Sequence, residues 1–378
     1  MKEQIKEIVI VGGGPAGAYL GHLLAKNGIY PTIFDHSYPR EKPCGGGISV
    51  LAIEKFPFLN EIQEPKAPDN KLELIASEGI SVMTSGEKSS WALSRSHFDK
   101  FILDKAIESG CKLIEEQVID VKLKNNIWEI KTKKGMYKAK LIIGADGVNS
   151  IVRKKILEPI PKQDMGVCYG CFAKSKKSEA TRIIFLKDRQ GYAWCFPRHD
   201  HLSIGVGLEL SDSKDIKKIF NEVISMYYPH IKIQSKWGAK IPLIKDESFY
   251  HMSCSGKNWI LIGDAAGHVD PMTGEGITYA LWSAELASKA IINNDPSSFD
   301  MLWRKEYGNN LIGSCKSRDL FYNPSFLKYS IRLANRSKTL STLLYELITN
   351  QIRQDELLGR VVLAAPKTMM EYITSKIR

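Results

Sequence analysis

The sequence has no apolar run approaching the ~18–20 residues that a membrane-spanning helix requires, so an integral membrane protein is excluded as the first reading. Nor is there space for a secretory leader, because the N-terminus runs almost directly into a strand-like segment at Ile8. Cysteine is sparse for the length: 7 residues, an odd number, scattered over 378 positions. That pattern argues against a disulfide framework and for a reducing compartment, with the cytoplasm as the expected location. Low-complexity tracts and internal repeats are missing, and the composition is ordinary for a soluble protein. Acidic residues are in deficit, 42 Asp+Glu against 53 Lys+Arg, and residues 301–378 hold 13 Lys+Arg against 6 Asp+Glu. Such a surplus attracts nucleic acid, anionic lipid or phosphorylated substrates, or is simply a solvated face. No nucleic-acid-binding module is recognisable, so no nucleic-acid partner is expected, and the basic C-terminal region is a candidate for peripheral membrane contact.

What is present begins at Ile8-Val-Ile-Val-Gly12-Gly13-Gly14-Pro15-Ala16-Gly17. A β-branched run enters Gly12-x-Gly14-x-x-Gly17, a helical pattern follows from Ala16 to Lys26, and Pro31-Thr-Ile-Phe-Asp35 reads as a second strand ending in an acid. This is the dinucleotide-binding βαβ pattern: Gly12 for the tight turn, Gly14 for close approach to a pyrophosphate, Gly17 for helix–strand packing. Pro15 and Ala16 open the helix whose N-terminal N–H groups face the phosphates, and Asp35 is positioned to accept from ribose hydroxyls.

Further along, Pro43-Cys44-Gly45-Gly46-Gly47-Ile48 forms a loop whose backbone can lie against a flat or bulky group. Residues 50–62 read as a helix, 72–84 as a hairpin turning at Glu78-Gly79, and 94–109 as a helix with Ser94 or Ser96 as cap. Strands are expected at 118–122, 128–132 and 138–143, the last entering Gly144-Ala145-Asp146-Gly147-Val-Asn-Ser150-Ile-Val-Arg153. Between 164 and 250 the pattern is mostly β, with a helix near 213–228. A buried-strand pattern at 258–262 runs into Gly263-Asp264-Ala-Ala-Gly267-His-Val-Asp-Pro271-Met-Thr-Gly274-Glu-Gly276-Ile277, and a helix to about residue 293 follows. The remainder is helical and basic, with amphipathic stretches at 326–334 and 340–352.

Three separated motifs, at 12–17, 144–153 and 263–277, together resemble the FAD-dependent oxidoreductases of the p-hydroxybenzoate hydroxylase superfamily. Within it, Pro39-Arg-Glu-Lys-Pro-Cys44-Gly-Gly-Gly-Ile48 and Gly191-Tyr192-Ala-Trp194-Cys-Phe196-Pro197 look like the geranylgeranyl reductase family. The resemblance covers residues 5 to about 290 and implies an α/β (α+β overall) protein. Its parts are a Rossmann-type FAD-binding domain (1–70, 91–163, 251–295), a largely antiparallel substrate domain (71–90, 164–250) and a helical C-terminal region (296–378). It also implies FAD as cofactor. The expected cofactor contacts are the 12–17 turn, Asp35, Cys44 to Gly46, Arg95 at the phosphates, Val118, Asp146, Gly147, Gly263, Asp264 at the ribityl hydroxyls, and Gly274, Gly276 and Ile277 at the flavin N1–O2 edge. The family more often carries glutamate where this chain has Asp35, and the shorter acid brings in His36 as an alternative ribose contact.

The implied chemistry is reduction of isolated C=C bonds in an isoprenoid chain, with NAD(P)H or a ferredoxin as transient electron donor. Cys44, Tyr192 and Trp194 are the catalytic candidates: the thiol as proton donor or gate, the alternating aromatics as the wall that orients the chain. Each also has a plainer reading, Cys44 as a small residue beside a glycine turn and the aromatics as a core stripe. Cys168-Tyr-Gly-Cys171 has metal-like spacing, but residues three apart on a strand point to opposite faces and no second ligand pair accompanies them, so no metal site is expected. A flavin monooxygenase or halogenase, or a non-catalytic lipid-binding flavoprotein, are the competing readings. Against a halogenase, the Trp-x-Trp-x-Ile-Pro string of those enzymes is replaced here by Tyr192-Ala-Trp194-Cys-Phe196-Pro197.

Overall fold

Strand Lys6–Val11 ends in four consecutive buried residues, the mark of a strand covered on both faces. It pairs in parallel with Thr32–Phe34 on one side and Met136–Gly144 on the other. The computed structural model, which describes residues 5–63, 66–174 and 180–377, extends this core into an eight-stranded sheet. Lys112–Ile114 lies beyond Thr32–Phe34, and Trp259–Leu261 followed by Ser255–Gly256 lie beyond Met136–Gly144. A hairpin of Val118–Lys124 and Ile127–Thr132 joins antiparallel at the Met136–Gly144 strand. Helix Pro15–Lys26, buried along nearly its whole length, packs against helices Arg95–Glu108 and Ile277–Ile292. Together these elements form one compact unit, Met1–Lys42, Arg95–Met165 and Ile241–Ile312.

The second unit is Pro43–Ser94, Gly166–Lys240 and Gly313–Arg378. Its sheet runs, edge to edge, Lys232–Pro242, Met165–Lys174, His201–Glu209, Tyr192–Pro197, Thr181–Phe185, Ala67–Ile75, Ser81–Ala92 and Gly47–Ile48. From Met165–Lys174 to Gly47–Ile48 each neighbouring pair is antiparallel except Thr181–Phe185 against Ala67–Ile75. One face is covered by the amphipathic helix Ile216–Tyr227, whose Ile216, Phe220 and Val223 pack on Cys171, Cys195, Ile204 and Val206. Helices Pro324–Ala334 and Lys338–Ile348 pack on strand Ser81–Ala92, where Gly86 leaves room for the Tyr345 ring; a Cβ there would lie 2.4 Å from it.

The grouping differs from the sequence-based division in several places, and residues 241–250 and 296–312 join the first unit. Residues 43–70 join the sheet unit because Gly47–Ile48 and Ala67–Ile75 are strands of its sheet. The helices after Gly313 belong to that unit too, not to a region of their own. Residues 50–62 also form two elements, helix Val50–Lys55 and the 3-10 turn Pro57–Glu61, because Pro57 disfavours helical backbone at Phe56 (φ −120°, ψ 77°). The long strand Lys232–Pro242 was not anticipated: its alternation is diluted by lysines. No helix among the described residues is long and apolar enough to cross a membrane.

Candidate functional site

In the first unit the glycines of the opening turn perform three separate tasks. Gly12 has φ +104°, and a Cβ there would sit 2.3 Å from the Ala145 carbonyl oxygen; a Cβ on Gly17 would sit 2.0 Å from the Gly12 oxygen. Those two positions close the turn onto the neighbouring strand and helix. A Cβ on Gly14, by contrast, meets nothing within 4 Å. Gly14 is also the N-cap of helix Pro15–Lys26 and supplies no side-chain acceptor, so no cap side chain competes for the first N–H groups of the helix. That is the geometry a pyrophosphate needs. Asp35 ties the turn together: Oδ2 accepts from the Gly13 N–H (2.9 Å) and Oδ1 from the Ser37 N–H (2.8 Å). His36, beside it, is exposed.

The 263–277 segment meets the same helix. A Cβ on Gly263 (φ +58°) would lie 3.2 Å from the Ala16 Cβ. Asp270 holds the loop that follows, accepting from Met272 N–H (2.9 Å) and Thr273 N–H (2.8 Å), while Gly274 N–H donates to its carbonyl (2.8 Å). Gly274 takes φ +72°, and Gly276 is the N-cap of helix Ile277–Ile292, again with no side-chain acceptor. Asp264 is partly exposed, with Oδ2 3.7 Å from Lys42 Nζ. Lys42, next to the glycine loop in sequence, and Asp270 escaped the sequence reading; their signal was proximity to motifs already recognised.

Three expected contact residues are engaged within the chain. Asp146 caps helix Ile151–Ile156, accepting from Ser150 Oγ (2.5 Å) and the Ile151 N–H (2.7 Å); burial pushes its carboxyl up. Arg95 is buried and forks onto Asp99 (2.7 and 2.9 Å), and its N–H donates to Glu41. Val118 is buried at the start of its strand. Gly147 has φ +78° and open space around its missing Cβ.

Behind the 263–267 turn lies a buried polar group that sequence reading passed over. His268 is fully buried, its Nδ1 2.9 Å from the Tyr307 hydroxyl and its Nε2 3.9 Å from Cys254 Sγ, with the Trp303 ring tilted against it at 4.5 Å between centroids. Burial, reinforced by Arg153 and Arg304, drives its pKa down to about 3, and burial pushes Cys254 up to about 12.

In the second unit Cys44, Gly45, Tyr192, Trp194 and Phe196 come together on the sheet face opposite helix Ile216–Tyr227. Tyr192, Trp194 and Phe196 share that face, with ring centroids 6.0 and 6.4 Å apart. The floor beneath them is glycine. Trp194 stands opposite Gly205, which stands opposite Gly170 on the next strand. A Cβ on Gly205 would come within 2.3 Å of the Trp194 ring, and one on Gly170 within 2.6 Å of Trp237. The indoles of Trp194 and Trp237 therefore lie down in a trough, 6.0 Å apart, and both indole N–H groups are buried without a hydrogen-bond partner.

The loop is fastened to this face by its backbone. Arg198 Nη2 donates to the Cys44 carbonyl (3.0 Å), as does Ser203 Oγ (3.0 Å), and the Arg198 guanidinium also reaches the Gly45 carbonyl while stacking 4.9 Å from Phe172. The half-buried Cys44 Sγ accepts from the Gly46 N–H at 3.3 Å. A Cβ on Gly45 would strike Phe196 at 2.6 Å, and Gly46 (φ +80°) faces Leu93 and Arg198. Cys168 lies on the Cys44 side and Cys171 in the core under the helix, so the pair points to opposite faces.

A family model described as tryptophan halogenase matches residues 59–307. Among curated proteins, a geranylgeranyl diphosphate reductase of Rhodobacter capsulatus is 28% identical, over 83% of this chain and 84% of its own. A digeranylgeranylglycerophospholipid reductase of Methanococcus vannielii is 24% identical, over 84% of this chain and 87% of its own. Among solved structures, a geranylgeranyl bacteriochlorophyll reductase-like protein from Thermoplasma acidophilum superimposes with TM-score 0.78 at 17% identity, covering 98% of this chain and 100% of that one.

Proposed function

We propose that this chain, which belongs to the tryptophan halogenase family, is an FAD-dependent enzyme that reduces C=C bonds of an isoprenoid lipid chain. The fit to FAD rests on two helix N-termini, at Pro15 and Ile277, each capped by a glycine that offers no competing acceptor, with open space beside Gly14. Gly12 to Gly17 would hold the pyrophosphate, Asp35 the adenosine ribose, Asp264 the ribityl chain, and the Gly274–Ile277 backbone the flavin edge. When bound and reduced, FAD supplies hydride equivalents to a carbon acceptor.

The observation that carries the substrate class is the aromatic trough floored by Gly170 and Gly205. An unbranched polar substrate gains little from such a surface; a polyprenyl chain gains from every methyl it buries. Tyr192, Trp194, Phe196 and Trp237 hold the chain and exclude water, which matters because an isolated alkene is a poor acceptor that must be tightly positioned. The Cys44 thiol, fixed through its own carbonyl by Arg198 and Ser203, holds the proton that the second alkene carbon requires. Hydride and proton together add two hydrogens to the lipid, and NAD(P)H or a ferredoxin-type donor restores the two electrons. The isoprenoid-reductase names of the relatives support the same substrate class.

A halogenase or monooxygenase is the second reading, favoured by the name of the matching family. One experiment separates the two. The protein is reduced with dithionite under anaerobic conditions, geranylgeranyl-bearing lipids are added, and flavin reoxidation is followed. Substrate-dependent reoxidation with a product heavier by two hydrogens is the expected result. Reoxidation only on admitting oxygen would replace the reductase with the oxygen-dependent reading.

A further inference from the structure

Helix Gln354–Ile377 is fastened along one side only. Glu371 accepts from Ser337 Oγ (2.6 Å), Thr339 Oγ1 (2.9 Å) and the Thr339 N–H (3.1 Å), and Tyr372 lies under the Arg336 guanidinium at 5.4 Å. At about 100° per residue, the half-buried Leu357, Ala364, Thr368, Glu371 and Tyr372 fall on that one side.

The opposite side is apolar and bare. Val362, Pro366, Met369 and Ile373 follow one another at i, i+4, i+7 and i+11, with Leu363 and Met370 adjoining. Their exposures reach 62% at Val362, 81% at Leu363, 66% at both Met369 and Met370, and 49% at Ile373. A globular surface helix places polar residues there. Arg360 and Lys367, both exposed, border the stripe, and Phe326 and Tyr329 are exposed on helix Pro324–Ala334 near Lys328 and Arg332. Residues 313–378 carry 11 Lys+Arg against 5 Asp+Glu.

We infer that the Val362–Ile373 stripe lies on the surface of an anionic lipid bilayer, its methionine, leucine and valine side chains among the acyl chains and Arg360 and Lys367 among the head groups. An apolar stripe edged by cations is the pattern of a helix that lies in the interface rather than spanning it. A second copy of the chain fits less well, because burying two such stripes together would oppose their basic borders. The inference stands apart from the reductase reading: it concerns where the protein works, not what it reduces.

The test is flotation of the full-length, FAD-loaded protein with vesicles of phosphatidylcholine containing phosphatidylglycerol, against phosphatidylcholine alone. Binding to the anionic vesicles, lost at high salt, is expected. The M369E/M370E variant should lower binding by at least about tenfold, and R360E/K367E by at least about 25-fold, at roughly a factor of five for each basic charge lost near the surface. Thermal midpoint and reduction of a short, water-soluble prenyl alcohol should remain as in the wild type. Unchanged vesicle binding in both variants overturns the inference. So does a dimer in light scattering that M369E/M370E dissociates while vesicles leave it untouched, since the occupant is then a second copy. A wild-type protein that binds the anionic vesicles but reduces no alkene would count against the proposed reaction alone and leave this inference standing.

Discussion

The two units build their candidate sites from opposite materials. The cradle around Gly12–Gly17 and Gly263–Ile277 is made of backbone: its working groups are N–H donors at two helix starts, and its glycines either close the turn or leave a space. The trough of the second unit is made of side chains, two indoles laid flat over glycines with Cys44 held above by an arginine and a serine. A backbone site tolerates almost no change at a few positions and is indifferent elsewhere. A side-chain site spreads its requirements over many strands, and each can be compensated by its neighbour.

The largest effects should come from filling the closed glycines of the cradle. A side chain at Gly17 meets the Gly12 carbonyl at 2.0 Å, and backbone cannot yield as a rotamer can. Gly17→Val is expected to cost more than ~3 kcal/mol and to abolish FAD retention, read by thermal unfolding and by flavin absorbance of the purified protein. Gly14→Ala should do the reverse: with φ −70° and open space it leaves stability within ~1 kcal/mol but weakens FAD about tenfold by intruding where the phosphates lie. Equal effects at the two positions would mean that the turn is merely structural.

Next comes the trough. Gly205→Ala drives a methyl group to 2.3 Å from the Trp194 ring. It should cost ~1–3 kcal/mol, shift tryptophan fluorescence and suppress turnover while FAD occupancy stays at the wild-type level. Adding Trp194→Leu should recover part of the stability, because the two residues share one space. Loss of FAD in Gly205→Ala would break the separation between the two sites.

The same contrast explains what could be read in the sequence. The cradle was legible because its geometry dictates residue type: only glycine accepts φ +104° at position 12, so spacing alone exposes the turn. The trough was half legible. Tyr192, Trp194 and Phe196 alternate on one strand, but the glycines that seat them, Gly170 and Gly205, lie on neighbouring strands, and Trp237 comes from a strand too lysine-rich to announce itself. Pairing across a sheet is not written in any local window. Asp146 and Arg95 carry motif positions, yet their polar atoms serve a helix cap and a buried ion pair. Sequence reveals that such residues matter before it reveals to what.

A smaller effect tests the fastening of the loop. Arg198→Met keeps the bulk over Phe172 but removes the donors to the Cys44 and Gly45 carbonyls. The expected loss is ~1–3 kcal/mol locally. Alkylation of Cys44 by iodoacetamide, mapped by mass spectrometry, should quicken severalfold, and turnover should fall with FAD unchanged. An unaltered alkylation rate would show that Ser203 alone fixes the loop.

A last effect, small near neutral pH, lies behind the cradle, where its backbone leans on a side chain after all. His268 is neutral in the fold, its pKa held near 3 by burial and by Arg153 and Arg304, whereas an unfolded histidine titrates near ~6.5. Between those values the unfolded chain binds one proton more than the folded one. Stability from this residue is therefore complete above ~6.5 and falls by about 1.4 kcal/mol for each pH unit below it, down to about 3. Chemical denaturation of wild type and His268→Gln from pH 7.5 to 5 should give curves whose difference grows toward acid, with glutamine losing less. Parallel curves would mean that folding leaves the protonation of the imidazole unchanged; a wild type that gains on glutamine toward acid would mean that the imidazole is protonated and paired in the fold, so that the turn carrying Asp264 is held by a charge rather than by a neutral hydrogen bond to Tyr307.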